Sequence, residues 1–428
     1  MSTESIAGIF SQKVESALLV AIQFPSMVEA GALAHIGELT QLVDTMGLRV
    51  ADTFITRLRA IQPKYLVGTG KAGEIAELAD TLEADCIIFD DDLSPSQQRN
   101  WEALTSRCVI DRHEVILDIF AARANTREAE LQVALARMEY SLPRLTRAWT
   151  HLSRQRGGSR GTRGEGETQL EADRRVVLRK IDKLKGQLKQ VRSQRATRRR
   201  LRMAAPVPTA SLVGYTNAGK SSLLNSLTGA DVMVEDKLFA TLDPTTRRLK
   251  IQNGGEVLIT DTVGFIRKLP HDLVDAFKST LEETVLADVL IHVLDAANTE
   301  VRHHYETTVS VLEELGAGHK PSILVINKID LLQGEHDCRM LKSDYPEAIF
   351  TSVRENTGLD EVIQRIKGAL YGATPISEYR IPNSRYDIAA LIHRTGRVIH
   401  EQYVDDRILL TAQVPEKTRG ICAAYKVE

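Results

Sequence analysis

Gly214-Tyr215-Thr216-Asn217-Ala218-Gly219-Lys220-Ser221 decides the fold of the central part of this 428-residue chain. The apolar run 210–213 before it is typical of the end of a buried strand, and residues 222–227 after it show helical periodicity. The pattern G-x-x-x-x-G-K-[ST] between a strand and a helix predicts a phosphate-binding loop. Its glycines let backbone N–H groups approach phosphate oxygens, Lys220 supplies a positive charge, and the Ser221 hydroxyl can ligate Mg²⁺.

A second motif, Asn327-Lys328-Ile329-Asp330, indicates which base the nucleotide carries. It follows the apolar run 323–326, which we interpret as another buried strand. The Asp330 carboxylate can accept hydrogen bonds from the ring N–H and the exocyclic amine of guanine, which adenine does not offer in that arrangement. Because an unpaired buried carboxylate is costly, the motif favours GTP over ATP.

Two stretches between these motifs predict the contacts to the γ-phosphate and to Mg²⁺. In Asp261-Thr262-Val263-Gly264, which follows a strand-like run, Asp261 can hold Mg²⁺ through a water and the Gly264 N–H can contact the γ-phosphate. In the preceding loop, 239–245, we expect Thr241 to reach Mg²⁺, with Thr245 or Thr246 as alternatives.

The candidate site follows from these motifs and from Thr351-Ser352-Val353, which is placed to offer backbone N–H groups to guanine O6. The candidate catalytic residues are Lys220, Thr241 and Gly264. The candidate Mg²⁺ ligands are Ser221, Thr241 and, through water, Asp261. The candidate nucleotide contacts are Gly214, Tyr215, Thr216, Asn217, Ala218, Gly219, Lys220, Ser221, Ser222, Phe239, Ala240, Thr241, Leu242, Asp243, Asp261, Thr262, Val263, Gly264, Asn327, Lys328, Ile329, Asp330, Ser352, Val353 and Arg354.

The composition is that of a globular protein with an uneven charge distribution. The formal net charge is −2, yet residues 144–202 hold 19 Lys and Arg against 5 Asp and Glu, a local excess of +14. Such a segment favours binding to a polyanion. The four cysteines have no metal-site or disulfide spacing, and no run suggests a signal peptide or a membrane span, so we expect a cytoplasmic protein.

The N-terminal region alternates strand-like and helical stretches, which predicts a small parallel α/β domain. The strand-like runs are 16–22, 65–67, 86–89 and 108–110, and one helical stretch is 72–82. Gly68-Thr69-Gly70-Lys71 lies at a strand-to-helix turn and could hold a second phosphate. Because it lacks the full phosphate-loop spacing, we favour an ordinary glycine turn.

Two further apolar patterns predict a long helical hairpin. Leu131, Leu135, Met138 and Leu142 follow a 4-3-4 spacing, and Val177, Ile181, Leu184, Leu188 and Val191 follow a 4-3-4-3 spacing. Thr168 and Glu171 fit a capping box at the start of the second helix, which would extend about 50 Å to Arg202. Because each apolar seam needs a partner, we expect the helices to pack antiparallel within one chain, which favours a monomer.

Between these helices lies a glycine- and arginine-rich loop, 154–167. A solvated flexible loop is one interpretation. Its position on a hairpin, followed by the basic run 192–202, favours binding to structured RNA. The candidate RNA contacts are Arg154, Arg156, Arg160 and Arg163.

The fold class is therefore α/β, with four predicted regions. They are an N-terminal α/β domain (1–115), an antiparallel helical hairpin with its tip loop (116–205), a P-loop G domain (206–372) and a small C-terminal α+β domain (373–428).

Nearly the whole chain resembles the HflX family of ribosome-associated GTPases. The resemblance is carried by the G motifs together with the stretch 157–171, GGSRGTRGEGETQLE. Glu165 stands where proline is common in the family. The resemblance implies binding of GTP and GDP, association with the large ribosomal subunit and its rRNA, and splitting or rescue of stalled ribosomes under stress.

The position after Asp261-Thr262-Val263-Gly264 bears on the rate of hydrolysis. Phe265 stands where many GTPases carry a glutamine that orients the attacking water, which predicts slow hydrolysis alone and stimulation by the ribosome. In several GTPases with an apolar residue there, an asparagine at the Asn217 position helps to bind K⁺, which makes Asn217 a candidate K⁺ ligand. The alternative is that Asn217 only stabilises the loop through side-chain hydrogen bonds. The alternative function is an RNA-remodelling ATPase or GTPase that acts on rRNA through the N-terminal domain, with ATP at 68–71.

Overall fold

The computed structural model describes residues 14–25, 27–145, 165–203, 207–229, 237–251, 255–268, 281–332, 334–372 and 374–427. By their contacts these residues form two compact units, one that reaches to Val191 and one that begins at Arg192. Within the described ranges, no helix is long and apolar enough to cross a membrane. The predicted RNA contacts lie outside them, namely Arg154, Arg156, Arg160 and Arg163.

A parallel sheet with the strand order β2-β1-β3-β4 forms the core of the first unit. Its elements are β1 (Ser16–Gln23), α1 (Glu29–Thr45), β2 (Arg49–Arg57), α2 (Thr69–Thr81), β3 (Cys86–Phe89), α3 (Pro95–Thr105), β4 (Cys108–Asp111) and α4 (Arg112–Arg123). Strands β3 and β4 are buried along their whole length, as continuous apolar runs in a parallel sheet predict. The predicted parallel α/β fold of this region is confirmed.

Two details of this sheet differ from the prediction. The prediction misses β2, because this edge strand is half exposed and mixes polar with apolar residues. Residues 65–67 are not a strand of the sheet, because Leu66 has a φ of 68°, which interrupts an extended chain. Tyr65 is nevertheless buried against Trp101, with ring centroids 5.4 Å apart, so the apolar character of this run reflects the core.

The helices α5 (Arg127–Ser141) and α6 (Glu165–Met203) pack through the predicted seam. Its members are Leu131, Leu135, Met138, Leu142, Val177, Ile181, Leu184, Leu188 and Val191. Lys185 Nζ lies 2.8 Å from Glu139 Oε1 across the same pair of helices. The predicted seam is therefore confirmed.

The predicted capping box is wrong, because α6 begins at Glu165 and Thr168 lies inside it. Helix α4 runs across the predicted domain boundary at residue 115.

Arg112, at the start of α4, is a buried charge in the first unit. Only 1% of its side chain is exposed, and it donates to Asp90 Oδ1 at 2.8 Å and to Glu38 Oε1 at 2.9 Å. Because a buried guanidinium is stable only when it is paired, these carboxylates hold the start of α4 against β3 and α1.

A six-stranded sheet with the order β10-β9-β8-β5-β7-β6 forms the core of the second unit, and only β6 runs antiparallel to its neighbour. Its elements are β5 (Thr209–Gly214), α7 (Lys220–Thr228), β6 (Thr245–Lys250), β7 (Glu256–Asp261), β8 (Val289–Asp295), α8 (Val301–Glu314), β9 (Ser322–Asn327), α9 (Glu335–Asp344), β10 (Ile349–Phe350) and α10 (Leu359–Tyr371). The parallel strands end at one edge, so the motifs after β5, β7 and β9 meet there.

A separate antiparallel sheet, in the order β11-β13-β12, follows in the same compact unit. Its elements are β11 (Ile376–Pro382), α11 (Tyr386–Thr395), β12 (Arg397–Val404), β13 (Arg407–Gln413) and α12 (Glu416–Cys422). The Tyr371 hydroxyl donates to Thr395 O at 3.1 Å. Gly255, directly before β7 and with a φ of +74°, lies so close that a Cβ there would approach Gly396 O to 2.9 Å. This α+β region therefore packs directly on the six-stranded sheet's β6–β7 hairpin.

We expect Arg112→Ala to lower the free energy of unfolding of the first unit by about 3–5 kcal/mol, because it removes the buried guanidinium that pairs with the buried carboxylate of Asp90. Urea denaturation followed by Trp101 fluorescence in a Trp149→Phe background measures this, since Trp101 is fully buried in the first core. The control is Arg57→Ala, which removes an exposed ion pair with Glu29 and should change stability by less than about 1 kcal/mol. Equal losses in the two variants would contradict the prediction.

Candidate functional site

The turn between β5 and α7 has the backbone of a phosphate-binding loop. Gly214 has a φ of +146°, Asn217 of 60° and Gly219 of +90°, and a Cβ at Gly214 would overlap the Val293 carbonyl oxygen. Glycine is therefore required at Gly214 by both conformation and space. Helix α7 begins at Lys220, so its free N–H groups point into the loop.

Lys220 is buried beneath this loop. Its Nζ donates to Gly214 O at 3.1 Å and to Tyr215 O at 2.8 Å. Burial lowers the pKa of Lys220 to about 8, and the charge of Asp261 opposes this shift. Burial also raises the pKa of Asp261, against the effects of Lys220 and of the Ser221 and Thr241 hydroxyls. The site therefore holds a desolvated cation that an anionic phosphate would stabilise.

Three oxygen atoms converge beside Lys220 and form a set of donors suited to a hard cation. Ser221 Oγ donates to Asp261 Oδ2 at 2.6 Å, and Thr241 Oγ1 lies 2.9 Å from the same atom and 2.8 Å from Ser221 Oγ. Asp261 Oδ1 is buried without a hydrogen-bond partner in the described part of the chain. Oxygen donors of this kind fit Mg²⁺. The alternatives Thr245 and Thr246 lie in β6, where Thr246 bonds to Thr260.

The segment after β7 lies directly on the phosphate loop. A Cβ at Gly264 would come within 2.6 Å of Thr216 Cα and 2.9 Å of Lys220 Nζ. Thr216 N donates to Phe265 O at 2.7 Å, and Phe265 N donates to Gly214 O at 3.1 Å. Phe265 is 2% exposed, so its ring packs into the protein.

The loops after β9 and β10 form the other end of the site. Ser352 Oγ donates to Asp330 Oδ1 at 2.7 Å and so orients this carboxylate. Asn327 Nδ2 donates to Ala218 O at 3.2 Å, while its Oδ1 accepts from Val353 N at 3.3 Å. Asn327 therefore joins the phosphate loop to the loop that carries Val353. The Lys328 ammonium pairs with Asp295 at 2.8 Å.

A cavity of about 380 Å³ unites these parts. It is lined by Thr216, Asn217, Gly219, Lys220, Ser221, Ser222, Lys237, Phe239, Ala240, Thr241, Thr262, Gly264, Asn327, Lys328, Asp330, Leu331, Val353 and Arg354. The sequence prediction includes all of them except Lys237 and Leu331. Both adjoin predicted stretches, and Leu331 directly follows Asp330 with half of its surface exposed, so extending each motif by one or two residues would have found them.

The other predicted residues do not line this cavity. Asp261 and Ser352 lie behind it and hold lining residues through the hydrogen bonds given above. The remaining seven are Gly214, Tyr215, Ala218, Leu242, Asp243, Val263 and Ile329.

The alternative phosphate site at 68–71 has a different character. Helix α2 begins at Thr69, directly after Gly68. Lys71 Nζ lies 2.6 Å from Glu74 Oε2, and both side chains are about half exposed. The lysine is therefore engaged by a carboxylate on its own helix, in solvent, unlike the buried Lys220.

A strand-to-helix phosphate loop, a hydroxyl and carboxylate cluster, and the carboxylate of the Asn-Lys-Ile-Asp motif at one sheet edge define a P-loop GTPase. Family models match residues 34–121 (GTP-binding GTPase N-terminal), 123–202 (GTP-binding GTPase Middle Region) and 209–328 (50S ribosome-binding GTPase). The chain is 48% identical to the GTPase HflX of Akkermansia muciniphila, over 94% of this chain and 95% of that one. It is 45% identical to the GTPase HflX of Escherichia coli K12, over 86% of each.

This chain belongs to the HflX family of GTPases, and it is an enzyme that hydrolyses GTP. The resemblance found in the sequence is confirmed. Among solved structures, a GTP-binding protein from Sulfolobus solfataricus in complex with GDP is 25% identical, with a TM-score of 0.44, over 83% of this chain and 98% of that one.

We expect Asp330→Asn to lower the affinity for GDP by about 10- to 100-fold, because it removes the charged acceptor for guanine. It should raise the affinity for xanthosine diphosphate, whose 2-oxo group can accept from the new amide. Titration of fluorescent nucleotides measures both effects. The control, Ser352→Ala, keeps the Asp330 carboxylate but removes the bond that orients it and the acceptor for Glu355 N, and it should give a smaller loss for GDP with no gain for the xanthine nucleotide. Unchanged GDP binding in Asp330→Asn would contradict this assignment.

Proposed function

We propose that this chain binds the large ribosomal subunit in its GTP state and splits or rescues stalled ribosomes under stress. The observation that carries the proposal is the +14 charge excess of residues 144–202, joined in one chain to a GTPase site. The match of residues 209–328 to a family described as 50S ribosome-binding GTPases supports the same partner. A basic segment of this kind suits an rRNA surface, because phosphate contacts dominate affinity for nucleic acid.

In this proposal the long helical hairpin carries the arginine-rich segment that contacts rRNA. Helix α6 has 39 residues, which corresponds to roughly 60 Å of helix, and its seam with α5 is closed within one chain. We therefore propose a monomer. The arginines between the two helices, Arg154, Arg156, Arg160 and Arg163, would contact rRNA through forked hydrogen bonds to phosphates.

In the nucleotide site, the phosphate loop would cradle the phosphates with its backbone N–H groups and Lys220. Ser221 and Thr241 would ligate Mg²⁺ directly, and Asp261 would hold it through a water. The Gly264 N–H would contact the γ-phosphate, and Asp330 would bind guanine. Mg²⁺ would neutralise the charge that develops on the phosphates during hydrolysis.

The identity of Phe265 bears on how the ribosome would affect hydrolysis. Its ring is buried and apolar, so it cannot orient the attacking water. We propose that the ribosome completes this part of the site, so that GTP is hydrolysed quickly only in the bound state.

We expect large ribosomal subunits to stimulate GTP turnover by the intact protein strongly. Replacing Arg154, Arg156, Arg160 and Arg163 with alanine should remove most of this stimulation, and raising the salt concentration should do the same, because phosphate contacts are screened. The control replaces four arginines outside this segment, Arg57, Arg127, Arg302 and Arg385, which are each about half exposed or more. No stimulation of the intact protein would refute the proposed partner, and equal stimulation of both variants would refute the proposed contacts.

We further propose that Asn217 ligates K⁺ beside the phosphates, where the cation would replace an arginine as charge neutraliser. Asn217 lines the cavity and has a φ of 60°, a conformation that glycine also adopts. Turnover of the intact protein should therefore be several-fold higher in KCl than in NaCl at matched ionic strength. In Asn217→Gly, which keeps the backbone and removes the side-chain oxygen, the two salts should give equal turnover. Equal turnover by the intact protein in both salts would rule K⁺ out.

A further inference from the structure

Thr216 is the point at which the phosphate loop meets two other segments of the site. It is 6% exposed, and its backbone N–H donates to Phe265 O at 2.7 Å. Its side-chain hydroxyl accepts a hydrogen bond from Phe239 N at 2.8 Å. One residue thus joins the loop before β6, residues 237–244, to the segment after β7, residues 262–268.

The segment after β7 is attached to the phosphate loop without the Thr216 side chain. Phe265 N donates to Gly214 O at 3.1 Å, and Arg267 N donates to the Tyr215 hydroxyl at 2.6 Å. Both bonds survive any change of side chain at Thr216. The Thr216 hydroxyl therefore acts on the loop that contains Phe239.

That loop is held in an unusual conformation at Phe239. This residue has a φ of 56°, in the left-handed region that a large side chain rarely adopts, and its ring is 1% exposed. Such a conformation persists only where the surroundings fix it. Because a buried backbone N–H needs an acceptor, the hydroxyl of Thr216 stabilises this conformation directly.

The conformation of Phe239 affects Thr241, the candidate Mg²⁺ ligand two residues further along. Thr241 Oγ1 lies 2.8 Å from Ser221 Oγ and 2.9 Å from Asp261 Oδ2. Phe239 is fixed to the phosphate loop by its bond to Thr216, and only Ala240 lies between Phe239 and Thr241. The position of Thr241 in the oxygen cluster therefore depends on the anchored conformation of Phe239.

We propose that Thr216 is a positioning residue, whose hydroxyl fixes Phe239 and so delivers Thr241 to Mg²⁺ in the GTP state. The inference rests on the proposed Mg²⁺ and nucleotide contacts, but not on the ribosome. A residue with this role discriminates between nucleotides, because Thr241 contributes only when the γ-phosphate and Mg²⁺ are both present. Removing the hydroxyl should therefore weaken binding of GTP much more than binding of GDP.

The test compares Thr216→Val, which keeps the shape and loses the hydroxyl, with Thr216→Ser, which keeps the hydroxyl. Dissociation constants for GDP and for a non-hydrolysable GTP analogue are measured on the full chain in Mg²⁺ without ribosomes. We expect Thr216→Val to weaken binding of the GTP analogue about tenfold more than it weakens binding of GDP. Thr216→Ser should restore analogue binding. Thr216→Ala also lacks the hydroxyl and should match Thr216→Val, which provides a second variant should valine fail to fold.

A double-mutant cycle with Thr241→Ala tests the path through the loop. If Thr216 acts through Thr241, the double variant Thr216→Val, Thr241→Ala binds the analogue no more weakly than Thr241→Ala alone. Additive losses would overturn the proposal, as would equal weakening of GDP and analogue by Thr216→Val. Equal behaviour of valine and serine would also overturn it. Because ribosomes are absent, none of these results depends on the proposed partner, which ribosome-stimulated turnover tests separately.

Discussion

The buried pair of Lys220 and Asp261 is the constraint on which the rest of the second unit depends. Both groups lie out of solvent at the carboxyl edge of the six-stranded sheet, and burial acts against the charge of each. Their mutual attraction and the hydroxyls of Ser221 and Thr241 offset only part of that cost. The sheet must therefore be stable enough to hold two desolvated charges in place. A bound phosphate would pair with Lys220, and a bound cation would pair with Asp261. These preorganised charges therefore favour ligand binding.

The pairing register of the strands holds these groups in place at one edge of the sheet. Leu212 of β5 pairs with Asp261 of β7, and Asp295 of β8 pairs with Asn327 of β9, so residues far apart in sequence end level at one edge. This geometry explains why most of the predicted residues line one cavity. A motif that directly follows a buried parallel strand can lie only at the carboxyl edge, and the three motifs each follow such a strand. The seam of the hairpin was predictable because a heptad repeat of apolar residues needs a partner helix, and the neighbouring helix carries a matching repeat.

What the sequence could not predict depends on contacts between segments that are not neighbours. Strand β2 lies at a sheet edge and lacks a continuous apolar run, while residues 65–67 have such a run but fill the core from a turn. The left-handed conformation of Phe239 has no sequence signal, because aromatic residues seldom adopt it. The link between the Thr216 hydroxyl and Phe239 N is likewise invisible in a motif that specifies only glycine, lysine and serine.

Phe265 attaches its segment to the phosphate loop but does not take part in hydrolysis. Its backbone N–H and carbonyl are both bonded to the phosphate loop, and its ring is buried, so the residue serves attachment. A glutamine with the same buried orientation would bring an amide into an apolar environment, where it would need partners of its own. The arrangement thus stabilises the segment around Gly264 and excludes the side chain that elsewhere orients water. A site built in this way can bind its nucleotide and order the loops around it before hydrolysis begins. Under the proposed function, a large partner supplies the water-orienting group and so controls the hydrolysis step.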